Sequence, residues 1–213
     1  MNPVIPDGLP LRERKKHRTR EALIATALER FTAQGFDGTT LDELCAGVEV
    51  SKRTFFRYFA GKEDVALAPT QDMWTAFMAE LAARPADGGL LRDLLQDTVL
   101  TTIRAMPAEG WAHRVRLSRV LAQDTPSMNA RNLQFCDRTT RAALDIVCER
   151  FGFDPADLRP RLTFDVVLAA FRCGLEEWTR HPGPATRDTL AGHVRDAFAA
   201  IPGSIAVEIP SAA

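Results

Sequence analysis

No stretch of this sequence approaches the roughly 20 consecutive apolar residues that a membrane-spanning helix requires, so a membrane protein is not expected. The opening segment, MNPVIPDGLPLRERKKH, has no apolar stretch ahead of its basic cluster and does not read as a secretory signal; a cytoplasmic protein is expected. Cysteine is sparse: Cys45, Cys136, Cys148 and Cys173 stand far apart, with no CxxC pair and no Cys/His cluster at zinc-ligand spacing. They read as small buried hydrophobes in a reducing compartment. Histidine is equally sparse, and His17, His113, His181 and His193 sit in no HExxH or nucleophile-elbow setting. There is no GxGxxG, no phosphate loop and no Glu-x-x-His pair of the kind that opens a helical-bundle metal site. Neither an enzyme, a cofactor nor a bound metal is expected.

What is present is the composition of an ordinary globular protein: 213 residues, 46% hydrophobic and 26% charged, enough for a real core and unlike a disordered or collagen-like chain. The length suits one large domain or a small one fused to a larger. Charge is unevenly placed. Leu11 to Lys62 holds eleven basic and seven acidic residues, a net +4, whereas the whole chain is −1 and the remainder therefore −5. A basic head on an acidic body suggests that the head meets a polyanion and the body binds something else or itself; a solvated basic face is the plainer alternative.

Apolar residues recur at three- and four-residue spacing, with Gly and Pro between the periodic stretches, which predicts helices throughout and no strand. The first helix is expected from Arg12 to Gln34, with Leu23, Ile24, Ala27, Leu28 and Phe31 on one face and Gly35 as a stop. A second spans Thr40 to about Gly47, opened by a capping box of Thr40 and Glu43. Val48 to Val50 form a three-residue turn, and Ser51 caps a third helix running to about Phe59. Further helices are expected at Asp64 to Ala83, Leu90 to Met106, Trp111 to Gln123, Pro126 to Arg150, Pro155 to His181 and Thr186 to Ile201. Pro69 falls inside the fourth and predicts a kink or break between Val65 and Ala68. The fold class expected is all-α: residues 1–10 flexible, 11–62 a three-helix basic head, 63–201 a helical body and 202–213 a loose tail.

Three short helices, the second and third joined by a tight turn, make the layout of a helix-turn-helix. On the third, Phe55 and Phe59 share a row as a core anchor would, while Lys52, Arg53, Thr54, Phe56, Arg57 and Tyr58 occupy the others. Such a helix can enter a major groove about 12 Å wide and meet base edges and phosphates, although cationic surface helices are also common.

The run GFDGTTLDELCAGVEVSKRTFFRYFAGKEDV, Gly35 to Val65, resembles the DNA-binding head of the tetracycline-repressor (TetR) family of bacterial regulators. Gly35-Phe36, Thr39-Thr40, Ser51, Thr54, Tyr58-Phe59 and Lys62-Glu63 carry the likeness in order and without a gap, over about 50 residues. The resemblance implies a homodimer whose two heads bind a palindromic operator in double-stranded DNA and are released by a small-molecule effector held in the body. It implies that Lys52 and Arg53 approach bases and that Thr40, Thr54, Tyr58 and Lys62 hold phosphates. Ser51, Phe56 and Arg57 complete the expected DNA-binding set, with simple packing as the alternative for Tyr58. Two positions depart from the family's pattern: Glu49 stands where the turn usually has Gly, and Phe56 where a phosphate-binding Tyr is frequent. Phe56 can touch a thymine methyl instead. Arg12, Arg14, Lys15, Lys16, Arg18 and Arg20 form a basic arm that either adds DNA contacts or is a solvated helix start.

In the body, the helix from Pro155 to His181 is apolar on more than one side, as if buried in its own core and against a partner; the last helix carries a cleaner stripe. The family pairs these two helices in its dimer, and burial within one subunit explains each stripe equally well. Candidate effector-binding residues are Trp74, Phe77, Met78, Trp111, Phe135, Arg172 and Glu176, with Trp178 beside them. Plain core is the alternative for the aromatic and Met residues, and an Arg172–Glu176 pair the alternative for the two charges. The rival function is a helical protein-interaction adaptor that keeps the helix-turn-helix shape without specific DNA binding.

Overall fold

The computed structural model describes residues 10–204, 206 and 207. Among these, the elements are all helical: α1 Leu11–Gln34, α2 Leu41–Gly47, α3 Lys52–Phe56, α4 Lys62–Ala83, α5 Leu91–Ala105, α6 Trp111–Asp124, α7 Pro126–Phe151, α8 Leu158–Arg180 and α9 Arg187–Ser204. The segment expected to be flexible, residues 1–10, lies outside the described residues except for Pro10, as does most of the expected tail. The chain divides into two compact units: residues up to Thr75 with Pro107–Arg138, and Ala76–Met106 with the chain from Thr139 on.

In the first unit the α1 stripe Leu23, Ile24, Ala27, Leu28 and Phe31 is buried against Leu44 and Cys45 of α2, Phe55, Phe59 and the first turns of α4. Each of the Leu, Ile and Phe side chains contributes about 1.5–3 kcal/mol on burial, which is what holds five- and seven-residue helices that would not persist alone. Ala122 of α6 and Met128 of α7 complete this core. Gly35 ends α1 at φ 82°, a backbone that a side chain would strain, and its N–H still reaches the Phe31 carbonyl at 3.0 Å.

Two local expectations are corrected here. Of the kink or break expected before Pro69, the break does not occur: α4 is one helix from Lys62 to Ala83. Val65, Ala66, Leu67 and Ala68 are all buried, and the packing of that whole turn outweighs the roughly 3 kcal/mol that an interior proline costs. The Pro69 carbonyl accepts a hydrogen bond from Trp111 Nε1 at 2.9 Å. The third helix is also shorter than expected, ending at Phe56 rather than Phe59. The Arg57 and Tyr58 N–H groups bond three residues back, to Thr54 and Phe55, which tightens the last turn as Phe59 is drawn into the core.

In the second unit α8 packs on α9, and α5 packs on both. Gly174 lets the two backbones meet: a Cβ there would lie 2.8 Å from the His193 carbonyl oxygen and from the Val194 Cα. Trp178 Nε1 donates to Thr189 Oγ1 at 2.9 Å, and Arg187 donates to the carbonyls of Arg104 and Met106 at the end of α5. α8 begins at Leu158 instead of Pro155, since Asp157 caps it by accepting from the Arg159 N–H at 2.9 Å. α9 runs three residues past Ile201, through Pro202 to Ser204. Cys45 is buried, Cys136 and Cys148 are half-buried, and Cys173 is exposed, so the buried-hydrophobe reading holds fully for Cys45 alone.

Candidate nucleic-acid interface

Residues 40–62 make the interface. α2 opens on the capping box read in the sequence: the Glu43 N–H donates to Thr40 Oγ1 at 3.3 Å, while Glu43 Oε2 accepts from the Thr40 N–H at 2.7 Å and from its hydroxyl at 2.8 Å. The Thr40 backbone bond, then its hydroxyl, and then the charge of Arg30 hold the Glu43 carboxyl below its ordinary range. At the end of α2, Val50 N–H returns to the Cys45 carbonyl at 3.0 Å across a turn in which Glu49 adopts φ 55°. The position where the family usually has Gly is therefore in the left-handed region, and among the described residues it alone combines a side chain with positive φ.

Ser51 then caps α3, accepting from the Thr54 N–H at 3.1 Å, and the two hydroxyls lie 3.1 Å apart. Phe55 is 0% exposed and anchors α3 from below, edge-on to Phe56 at 5.6 Å and tilted against Phe59 at 5.7 Å. With Phe55 and Phe59 fixed, Lys52, Arg53, Phe56 and Arg57 are exposed. Phe56 keeps 53% of its surface in solvent, where an unmatched aromatic ring is costly.

The two charges expected to approach bases are surface groups. Lys52 Nζ pairs with Asp42 Oδ2 at 2.9 Å, both side chains more than half exposed, an interaction of no more than about 1 kcal/mol that a nucleic acid can displace. The Arg57 guanidinium lies 5.1 Å from the Tyr58 ring centre and donates to its hydroxyl at 3.3 Å, leaving Tyr58 half-buried. Lys62 is turned inward: its Nζ donates to the carbonyls of Phe36 and Thr39 at 2.7 and 2.9 Å and sits 4.6 Å from the Phe36 ring centre. Two of its three donors thus tie the start of α4 to the loop that carries Thr40.

Several ion pairs that brace this unit have no signal in the sequence, because their partners are far apart along the chain. Arg20 makes a bidentate pair with Asp72 at 2.8 and 2.7 Å while lying 5.3 Å from the Phe59 ring centre. Arg131 makes another with Asp64 at 2.6 and 3.0 Å, and Arg114 meets Glu21 at 3.0 Å.

The candidate effector residues are more dispersed. Trp74, Phe77, Trp111 and Trp178 are buried core, Phe77 lying 6.4 Å from Phe164, whereas Met78 and Phe135 are half-buried. Arg172 is exposed, and Glu176 pairs with Arg180 at 3.7 Å. Open clefts among the described residues of the second unit include one of about 350 Å³ beside Leu144, Cys148 and Pro160 and another of about 170 Å³ beside Leu90, Leu94 and Phe151. None of the candidate residues lines either cleft.

A capped, cation-bearing helix held out from a helical core by one buried ring is the construction of a helix-turn-helix DNA-binding protein. Residues 23–68 match the model of bacterial regulatory proteins of the tetR family, and residues 91–202 match that of the MftR C-terminal domain. The chain is 38% identical over 177 residues to the HTH-type transcriptional regulator TcmR of Streptomyces glaucescens, spanning 81% of this chain and 78% of that protein. Its fold is similar to SmeT, the repressor of the multidrug efflux pump SmeDEF of Stenotrophomonas maltophilia (TM-score 0.54, 17% identity, 89% and 91% of the two chains). It is also similar to Thermus thermophilus FadR in complex with lauroyl-CoA (TM-score 0.51, 20% identity, 91% and 98%). The chain belongs to the TetR family and is a DNA-binding transcriptional regulator of a class that is not enzymatic.

Proposed function

We propose that this protein is a ligand-responsive repressor that binds a palindromic operator as a homodimer and leaves it when a small molecule occupies the helical body. The observation that carries the reading is the exposed face of α3, where Lys52, Arg53, Phe56 and Arg57 surround the buried Phe55. Arg and Lys donate to guanine O6 and N7, and Phe56 offers an apolar contact to a thymine methyl. Thr40, Ser51, Thr54, Tyr58 and Lys62 act around them: the three hydroxyl residues at the helix starts fix the backbone that presents the face, and Tyr58 and the remaining donor of Lys62 reach phosphates. Work on chromosomal DNA puts the protein in the cytoplasm.

Self-association is supported by α8, which buries Phe164, Val167, Phe171 and Leu175 on one face and leaves Leu158, Leu162 and Val166 exposed on another. A single chain has no use for that second stripe; an isologous partner does. The effector is a small molecule of unassigned chemistry that engages the helical body, where the candidate residues of the second unit are Phe77, Met78, Arg172 and Glu176. The neighbour crystallised with lauroyl-CoA supports ligand binding at the level of the fold.

Selection of duplexes from a random-sequence pool tests the reading. The expected product is an inverted repeat with half-sites about one helical turn or somewhat more apart. Recovery of no consensus, or of a single unrepeated site, contradicts the dimeric operator and favours the adaptor.

A further inference from the structure

The first two and a half turns of α1 have no role in the fold. Leu11 to Arg18 are all exposed, and the helix's buried residues begin only at Leu23. Within residues 11–20 there are six Arg or Lys and one acid, Glu13. Advancing about 100° per residue, Glu13 and His17 lie over the core-facing stripe of Ile24, Leu28 and Phe31, whereas Lys15 and Arg18 point away from it and Arg14 lies on the flank between. Arg20, which is on the core side, is the member of the cluster that is used internally, on Asp72 and over Phe59.

Helix is a costly conformation for this segment on its own. Arg12 with Lys16 and Arg14 with Arg18 are like-charge pairs at i,i+4, each mildly unfavourable to the helix. The positive end of the helix dipole adds to the repulsion, and Pro10 provides no side-chain cap. The lone acid makes one loose contact, Lys16 to Glu13 at 3.6 Å between exposed groups. Outward cations gathered against their own repulsion are stabilised by a dense line of negative charge. The cluster begins beside the reading head, since Arg20 lies over the ring of Phe59, the residue that closes the segment carrying α3. From there to Leu11 is nine residues, about 14 Å of helix.

We propose that Arg14, Lys15 and Arg18 form a second, sequence-independent DNA contact, a helical extension that grips backbone phosphates flanking each half-site. This rests on the operator-binding reading above and extends its footprint outward from the bases that α3 reads. The contact adds affinity and salt dependence and carries no sequence discrimination.

The test uses the full chain and the triple variant Arg14→Gln/Lys15→Gln/Arg18→Gln, which keeps helix propensity. Both are titrated by fluorescence anisotropy, over a salt series, onto a selected operator duplex with long flanks and onto the same duplex trimmed to its half-sites. On the long duplex the variant is expected to lose about 0.9 from the slope of log K against log salt for each phosphate contact removed, so a total of about 2 to 3. Its preference for operator over scrambled DNA is expected to stay unchanged, and the two proteins are expected to converge on the trimmed duplex. An unchanged slope on the long duplex overturns the proposal, as does an equal loss on both duplexes. Wild-type protein that shows no operator preference at all refutes the operator-binding reading instead, so the two failures are distinguishable.

Discussion

Glu49 is the residue whose backbone conformation is most at odds with its chemistry. At φ 55° it sits in the left-handed region, which costs a residue with a Cβ roughly 1–2 kcal/mol that glycine avoids. Glu49→Gly is therefore expected to stabilise the head by about 0.5–1 kcal/mol after glycine's greater unfolded-state entropy is set against the relief. A rise in the urea midpoint with an unchanged m-value is the expected result; a fall contradicts the assignment of strain. Glu43 makes a pH-dependent contribution. Its carboxyl is held low in the folded chain, so its capping stabilisation is present above the ordinary glutamate range and is lost as pH falls through the lowered value. Replacement by Gln keeps a hydrogen-bonding side chain and removes the titration, and acid unfolding of Glu43→Gln followed by circular dichroism is expected to show a smaller pH dependence than wild type. An identical acid profile would mean that the ionisation of Glu43 contributes nothing to stability.

At the scale of elements, the close approach of α8 and α9 turns on Gly174. A methyl group placed 2.8 Å from the backbone of His193 and Val194 cannot be accommodated by turning a flexible side chain, so the helices must separate. Gly174→Ala is expected to cost about 1–3 kcal/mol, read as a lowered melting temperature; a neutral result would show that the two helices pack more loosely. Which features are legible in the sequence follows from the range of the forces involved. The Thr40–Glu43 box, the Ser51 cap and the Gly35 stop are local interactions, complete within four residues, and the order of residue types is enough to reveal them. The end of α3 is not legible in that way, because the pull of Phe59 into the core is a tertiary effect on a five-residue helix. Pro69 misleads for the same reason: a local rule predicts a break, and the burial of Val65 to Ala68 overrides it. The pairs Arg20–Asp72 and Asp64–Arg131 bridge 52 and 67 residues of chain and leave no pattern in it. The interface residues stand out because they are confined to one short, gapless run. The effector residues do not, since buried aromatics such as Phe77 and Trp111 have the spacing of core and of pocket alike.

For the whole molecule, charge and apolar surface divide the labour. The positive charge is gathered in the head, and an unmatched apolar stripe, with Leu158 73% and Leu162 59% exposed, is left on α8. If that stripe is the dimer face, Leu162→Asp with Val166→Asp sets four like charges, two from each copy, in a desolvated seam. Sedimentation equilibrium is expected to give twice the chain mass for wild type and the single chain mass for this variant. An unaltered dimer would move the interface elsewhere. A palindromic operator gains its affinity from both heads together, so the monomeric variant is also expected to bind the selected duplex far more weakly.

The measurement that bears most directly on the central claim is fluorescence anisotropy of the selected operator against a scrambled duplex, for wild type and for Lys52→Ala/Arg53→Ala. Each well-placed contact to a base is worth about 1–3 kcal/mol of discrimination, so the double variant, which removes two, is expected to lose at least about thirtyfold in preference for the operator while still binding DNA through its remaining cations. A variant as selective as wild type would contradict the account, for it would mean that α3 is not what reads the sequence.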